Sequence, residues 1–356
     1  ELMWDAWMRR ALALAALADG HTSPNPLVGA VVLDQHGCLV GEGFHARAGE
    51  PHAEVGALAQ AGDRAKGGTL VVTLEPCCHH GRTPPCSEAV LRAGITRVVI
   101  ALKDPDPRVA GGGIAQLRAA GLEVISGVLQ TEATFQNRAF LHRVRTGRPW
   151  GTLKWAMGLD GRTALTNGES QWISGPTARE WVYRLRSKSD AVIVGGGTVR
   201  TDNPLLTSRG RRIPEPLRVV LSRSMELPAT AQLWDTTLAP TLVAHGPESK
   251  ERPFPSGPDR LLLPTSEPEP LMKELALRGC NRVLWECGPE LAAAAIRQGC
   301  IQDVAVVVAP KLMGGLPART PLGDLGLTAM DQVAAGSLLS PEQLGSDWLF
   351  QFRLTA

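Results

Sequence analysis

His52-Ala53-Glu54 and, further along, Pro76-Cys77 and Pro85-Cys86 are the stretches on which the reading of this chain turns. One neutral imidazole and two thiolates suffice to hold Zn²⁺ tetrahedrally and leave a fourth position open to water. A metal bound in this way lowers the pKa of that water from about 16 to about 7, so a nucleophile exists at neutral pH. Glu54 stands next but one to His52 and is not needed as a ligand, which leaves it free to move protons.

The pattern H-x-E, P-C, C is that of hydrolytic deamination of an amino group on a heteroaromatic ring. Its spacing is unusual, because the run Cys78 to Pro85 separates the cysteines where two residues are common. A structural zinc site or two unconnected buried thiols are the alternatives. Structural sites usually close the metal off with four protein ligands. Glu54 and the proline before each cysteine favour catalysis. Pro76 selects Cys77 over its neighbour Cys78 as ligand, and Cys78 is then a packed thiol beside the site.

The 356 residues suffice for two domains with full cores. A net charge of +2 makes no electrostatic case for nucleic acid or an anionic membrane, so basic residues should act locally, as phosphate clamps. One Tyr and six Phe provide no stacking platform for single-stranded RNA. No apolar run reaches about 18 residues, and Glu1 to Asp5 does not resemble a signal peptide. Seven cysteines, two of them committed to zinc, fit a reducing cytoplasm rather than a disulfide framework.

Residues 1–146 alternate helix and strand: a helix over 3–18, strands over 28–33 and 38–44, and a helix over 52–65 with His52 and Glu54 at its start. Then come a strand over 69–74, a short helix over 87–93, a strand over 97–102, a helix over 111–120, a strand over 123–128 and a helix over 131–144. Thr146-Gly147-Arg148-Pro149 marks the domain boundary, and residues 147–356 repeat the alternation. Strands are expected over 152–157, 191–194, 218–221, 241–244, 283–285, 304–309 and 348–354. Ser174 is expected to cap a helix carrying Pro176 in its first turn, and residues 289–298 form another. Residues 247–270, rich in Pro, Ser and Gly, look like an exposed connection. The fold class is α/β, as two three-layer α/β/α domains.

The chain resembles the family of bifunctional riboflavin-biosynthesis deaminase/reductases over nearly its whole length. In the first domain the resemblance rests on Ser23-Pro24-Asn25-Pro26-Leu27-Val28-Gly29, Gly43-Phe44-His45, His52-Ala53-Glu54, Thr73-Leu74-Glu75-Pro76-Cys77 through Cys86, and Asp104 to Pro107. In the second it rests on Leu159-Asp160-Gly161-Arg162-Thr163-Ala164, Gly168 to Ile173, Gly197-Thr198-Val199, Thr201-Asp202-Asn203-Pro204 and Ala309 to Gly315. The resemblance implies a cytidine-deaminase-like fold followed by a dihydrofolate-reductase-like one. It also implies deamination of a diaminopyrimidinone carrying a phosphoribosylamino arm, then NADPH reduction of the ribosyl group to ribityl, in a homo-oligomer (dimer or tetramer).

Residue by residue, the resemblance makes His52, Cys77 and Cys86 the ligands of one Zn²⁺ and Glu54 the catalytic acid–base. Asn25, His45, His79, Arg82 and Thr83 become substrate contacts of the deaminase, and the long inter-cysteine loop serves a phosphate. Ala156, Trp172, Thr198, Asp202 and Gly288 match NADPH contacts, and Arg223 stands where it can meet the cofactor's 2′-phosphate. Ser170, Arg186, Leu206, Arg209 and Glu286 match substrate contacts of the reductase, with Arg186 and Arg209 as phosphate grips, and Lys154 lies on the same strand motif as Ala156.

The chain departs from the family at Cys78, a near-isosteric change from a common Ser in the deaminase half, and in three places in the reductase half. Trp285-Glu286-Cys287-Gly288 stands where Val-Glu-Gly-Gly is usual, Gly158 where Ser is usual, and Ser222-Arg223 where Asp-Ser is common. Those departures leave one alternative open, a deaminase whose reductase half has decayed into a scaffold. A tRNA-editing deaminase and a non-catalytic zinc module are further readings; the absence of a basic aromatic surface argues against the first, and Glu54 against the second.

Overall fold

The computed structural model describes residues 2–78, 84–105, 111–250 and 252–355. The chain divides into two compact units, Glu1–Thr146 and Gly147–Ala356.

The first unit runs α1 (Leu2–Ala16), β1 (Gly29–Leu33), β2 (Leu39–Phe44), α2 (Ala53–Ala61), β3 (Thr69–Leu74), α3 (Cys86–Arg92), β4 (Arg97–Leu102), α4 (Gly112–Ala119), β5 (Glu123–Ser126), α5 (Gln130–Gln136) and α6 (Arg138–Thr146). Its mixed sheet has the order β2-β1-β3-β4-β5, antiparallel around β1 and parallel from β3 to β5. Strand alternation sorts the apolar side chains to two faces. Val32, Leu70, Val98 and Ile100 meet α2, α3 and α4, while Val31, Val71 and Val99 meet α1, α5 and α6. Full burial of a side chain such as Leu70 or Ile100 contributes about 1.5–3 kcal/mol.

Two glycines on β2 set the position of α2. A Cβ at Gly41 would lie 2.1 Å from the Ala57 carbonyl oxygen, and one at Gly43 2.4 Å from that of Ala53. The helix therefore lies directly on the strand, and its first turn is held at the sheet edge.

The helix expected over 131–144 is two helices, broken at Asn137. The buried Asn137 side chain accepts the Leu27 N–H at 2.8 Å and donates to the Leu27 carbonyl at 2.8 Å. It thereby pairs the main chain just beyond Asn25, and the break in the helix provides that side chain.

The second unit runs β6 (Trp150–Gly158), α7 (Pro176–Ser187), β7 (Ala191–Gly195), α8 (Gly196–Asp202), β8 (Leu217–Leu221), β9 (Thr241–His245), β10 (Asp259–Leu262), α9 (Pro268–Leu277), β11 (Arg282–Trp285), α10 (Pro289–Arg297), β12 (Asp303–Ala309), β13 (Gly336–Leu338), β14 (Glu342–Leu344) and β15 (Asp347–Leu354). The sheet order is β10-β9-β8-β7-β11-β6-β12-β15-β13, with β14 on β15. Strands β10 to β12 along that order are parallel, and β15 closes it antiparallel. Helices α9 and α10 cover one face, while α7 and α8 cover the other.

Two expectations are corrected here. Gly175, not Ser174, precedes α7, without a side-chain cap; its N–H donates to Asp347 Oδ2 at 2.7 Å, a partner 172 positions away that no local pattern reveals. The stretch 247–270 is not merely a connection, since it contains β10 and the first turn of α9. Pro258 immediately precedes β10 and Pro268 opens α9, positions where a proline costs no ladder or helix bond.

Candidate active sites

In the first unit, three elements bring the site together. His52 immediately precedes α2, Cys77 follows β3, and Cys86 opens α3. His52 Nδ1 lies 3.1 Å from Cys86 Sγ and 3.7 Å from Cys77 Sγ, and all three ligand atoms fall within 4.8 Å of one another. It is the one such cluster of three or more His, Cys, Asp or Glu among the described residues. The Cys86 N–H donates to Cys77 Sγ at 3.3 Å. The Cys86 thiol, then the His52 imidazole and that backbone bond, bring the Cys77 thiol down to about 4, while its hydrogen bond to Cys77, with burial, drives the Cys86 thiol upward. Two thiols forced to share one proton, beside an imidazole, suit a dication that displaces that proton; the donor set fits zinc.

Glu54 is only 4% exposed, and burial pushes its carboxyl up to about 7. Such a group can both take and return a proton near neutrality. Cys78 lies outside the cluster and packs on α4, where a Cβ at Gly112 would come within 2.8 Å of its sulfur.

Asn25 Nδ2 meets His45 Nε2 at 3.0 Å. His45 is 3% exposed, and its Nδ1 faces the Pro51 carbonyl at 3.1 Å. A carbonyl only accepts, so Nδ1 carries the proton and Nε2 accepts from the Asn25 amide. Both nitrogens of His45 are thus engaged, and it orients Asn25 rather than offering a free donor. His79, Arg82 and Thr83 lie outside the described residues.

Sequence reasoning passed over Glu75. Buried next to Pro76-Cys77, its carboxylate accepts the N–H groups of Asp104, Gly111 and Ile114 at 3.2, 3.0 and 3.0 Å. A buried acid directly before a Pro-Cys ligand pair was the available signal.

In the second unit the candidate residues gather at the C-terminal ends of the parallel strands, where open α/β sheets bind ligands. Strands β7 and β11 are neighbours; β7 runs straight into α8 after Gly195, and β11 leads through Glu286-Cys287-Gly288 into α10. Neither helix start is capped by a side chain, so two sets of first-turn N–H groups stay open side by side. A Cβ at Gly288 would meet only Thr198 Oγ1, at 3.8 Å, leaving the backbone approachable. Such donors fit the diphosphate of a dinucleotide.

Ser170 Oγ donates to Asp202 Oδ1 at 3.4 Å, bringing these two together. Trp172 is 62% exposed, with the Arg179 guanidinium 4.7 Å from its ring centre, so it is not a core aromatic. Lys311 Nζ donates to the Trp172 carbonyl. Ala156 packs with Ala178 and Trp181 on the face of β6 opposite Leu153 and Trp155. Lys154 shares the Ala156 face by strand alternation, and this places its ammonium 3.6 Å from Glu286.

Arg186 grips Glu286 with two bonds, at 2.6 and 3.0 Å. Burial alone would raise the Glu286 carboxyl; Arg186 and Lys154 overcome it and hold it at about 2. Burial lowers Lys154, and Glu286 counters it. The Leu206 side chain is buried in the core with Val199 and Val220, so only its main chain can meet a ligand. Arg223 is on the surface and paired with Glu267 at 2.7 Å. Cys287 packs against the core on the α9–α10 face, and burial pushes its thiol up to about 12.

Comparison with known proteins bears on both units. The cytidine and deoxycytidylate deaminase zinc-binding region matches residues 4–102, and the RibD C-terminal domain matches residues 149–350. A riboflavin biosynthesis protein RibD from Synechocystis is 50% identical over 348 residues, covering 96% of this chain and 94% of the relative. The chain belongs to the RibD family. Among solved structures, Acinetobacter baumannii RibD is 39% identical with a TM-score of 0.89, and covers 100% of both chains. A Thermotoga maritima diaminohydroxyphosphoribosylaminopyrimidine deaminase/5-amino-6-(5-phosphoribosylamino)uracil reductase is 34% identical with a TM-score of 0.89, and covers 99% of each.

As a RibD-family member, the chain is a bifunctional enzyme of riboflavin biosynthesis, a zinc-dependent deaminase joined to an NADPH-dependent reductase. The reading as a deaminase with a decayed reductase is not favoured. Among the described residues, no helix is long and apolar enough to cross a membrane.

Proposed function

We propose that residues 1–146 deaminate diaminohydroxyphosphoribosylaminopyrimidine and that residues 147–356 reduce the ribosyl group of the resulting phosphoribosylaminouracil to ribityl phosphate. The carrying observation is the His52, Cys77 and Cys86 cluster beside buried Glu54, in one chain with a reductase unit. The chain works in the cytoplasm as a homo-oligomer, dimer or tetramer, a state that sedimentation of the purified protein measures.

In the deaminase, His52, Cys77 and Cys86 would hold zinc. When bound, zinc supplies a Lewis acid and an activated water. Glu54 takes one proton from the attacking water and gives it to the ring nitrogen, then takes the second from the hydroxyl so formed on the ring carbon and gives it to the departing amine, which leaves as ammonia. Its carboxyl near 7 suits both directions. Asn25, turned by His45, presents its amide oxygen to an N–H of the pyrimidine edge. His79, Arg82 and Thr83 complete the substrate contacts.

In the reductase, Ala156, Trp172, Thr198, Asp202, Arg223 and Gly288 would hold NADPH, which supplies the hydride. Ser170, the Leu206 main chain, Arg209 and the Arg186–Glu286 pair hold the substrate, with Lys154 beside them. The purified zinc-loaded protein should release ammonia from the diamino substrate without NADPH, and should consume NADPH only after that release. Ammonia release with no NADPH oxidation at any substrate level would remove the second half of this reading.

A further inference from the structure

Around the chain's one tyrosine the reductase unit gathers several arginines. The guanidinium carbons of Arg186, Arg209 and Arg211 lie 5.8, 5.6 and 5.3 Å from the centre of the Tyr183 ring. Arg186 is paired with Glu286 and Arg211 with Glu180. Nearby Arg212 is paired with Asp190. Arg209 is exposed and has no carboxylate partner among the described residues. Of the three arginines on the ring, it alone has its charge left for an anion.

The backbone of Arg209 is left-handed, with φ 57°, as is that of Leu206, with φ 59°. Residues with a Cβ avoid this region and stay there only when the surroundings over-determine it. Here the surroundings are polar clamps. Glu215 accepts the N–H on each side of Arg209, from Ser208 at 2.6 Å and from Gly210 at 2.8 Å. Arg218, 0% exposed, donates to the Leu205 carbonyl at 3.2 Å, and Arg186 donates to the Thr207 carbonyl at 3.1 Å.

We propose that Glu215 is a positioning residue of the reductase: by holding the amides of residues 208 and 210, it fixes Arg209 so that its unpaired guanidinium meets the substrate phosphate. The proposal rests on the reading of Arg209 as a phosphate contact. Both carboxylate oxygens are in use, so Gln at this position would turn an NH₂ group toward one of the two N–H donors.

The test is steady-state reduction by the zinc-loaded full chain, with phosphoribosylaminouracil and with its dephosphorylated analogue. Glu215→Ala should raise KM for the phosphorylated substrate about tenfold, the scale of one charge-assisted hydrogen bond. Its kcat, its KM for NADPH, its KM for the dephosphorylated analogue and deamination by the same chain should not change. Glu215→Gln should shift KM in the same direction by less, and carries the test if Glu215→Ala does not fold. Glu215→Ala with Arg209→Ala should be no worse than Arg209→Ala alone, because one residue acts through the other. Additive losses, an altered KM for NADPH, or an unchanged KM in the Glu215 variants while Arg209→Ala raises it would overturn the proposal. An unchanged KM in Arg209→Ala would instead overturn the phosphate reading beneath it.

Discussion

The two sites handle charge in opposite ways. The deaminase site buries a carboxyl that only the His52 imidazole offsets with positive charge among the described residues, and burial pushes Glu54 up to about 7. The reductase site buries a carboxyl between an ammonium and a guanidinium, and Glu286 is held at about 2. Burial is similar, so the partners decide. A carboxyl near 7 can exchange a proton during a reaction, whereas one near 2 is a permanent anion that orients cations. In the proposed reading, proton traffic belongs to the first site and fixed geometry to the second.

The largest effect should come from removing a zinc ligand. Cys86→Ala is expected to take zinc from one per chain to none and to abolish deamination, while reduction of pre-deaminated substrate survives. Metal analysis beside both activities checks this, and full zinc with full deamination in the variant would break the comparison at its root. Glu54→Gln comes next: zinc and fold stay, and deamination falls at least about 10²-fold, the scale of general acid–base catalysis. Near-normal deamination would mean that another group moves the protons.

Glu286→Gln tests the other side of the comparison. It leaves Lys154 and Arg186 facing one another without their shared anion. Breaking a buried pair in this way costs roughly 3–5 kcal/mol, and a lower unfolding midpoint with impaired reduction is expected. The pH dependence has a definite sign. A carboxyl lowered from its ordinary 4.5 to about 2 contributes stability that is present above about 4.5 and lost as pH falls through about 2. The wild type should therefore show an acid slope over that window that Glu286→Gln lacks, measured by denaturant titration at stepped pH. Equal slopes would remove the ion pair as the reason.

The smallest effect is expected at Arg223. Its guanidinium is on the surface and already satisfied by Glu267, so Arg223→Ala should raise the KM for NADPH only a few-fold, the worth of an exposed pair. A hundredfold rise would place Arg223 deep in the cofactor site and show that Glu267 releases it.

The candidate deaminase ligands, which the structure brings within 4.8 Å of one another, were legible because each is a rare residue type at a fixed distance from another: His52 from Glu54, and proline before Cys77 and Cys86. The strands were legible from buried apolar runs such as Val71 and Val99. Asn137 breaking a helix, Gly175 held by Asp347, and Glu75 tying down residues 104, 111 and 114 were not, because each partner lies 29 or more positions away.

By itself, the sequence determined the metal-binding chemistry, the α/β alternation and the presence of two domains, because ligand identity and strand or helix period are local properties of the chain. Only the tertiary structure decided which charges are spent and which are free. Arg186, Arg209, Arg211 and Arg212 are alike as letters, yet among the described residues three are neutralised by carboxylates from elsewhere in the chain and one is not. Coulomb interaction falls with distance and strengthens with burial, and both are set by folding.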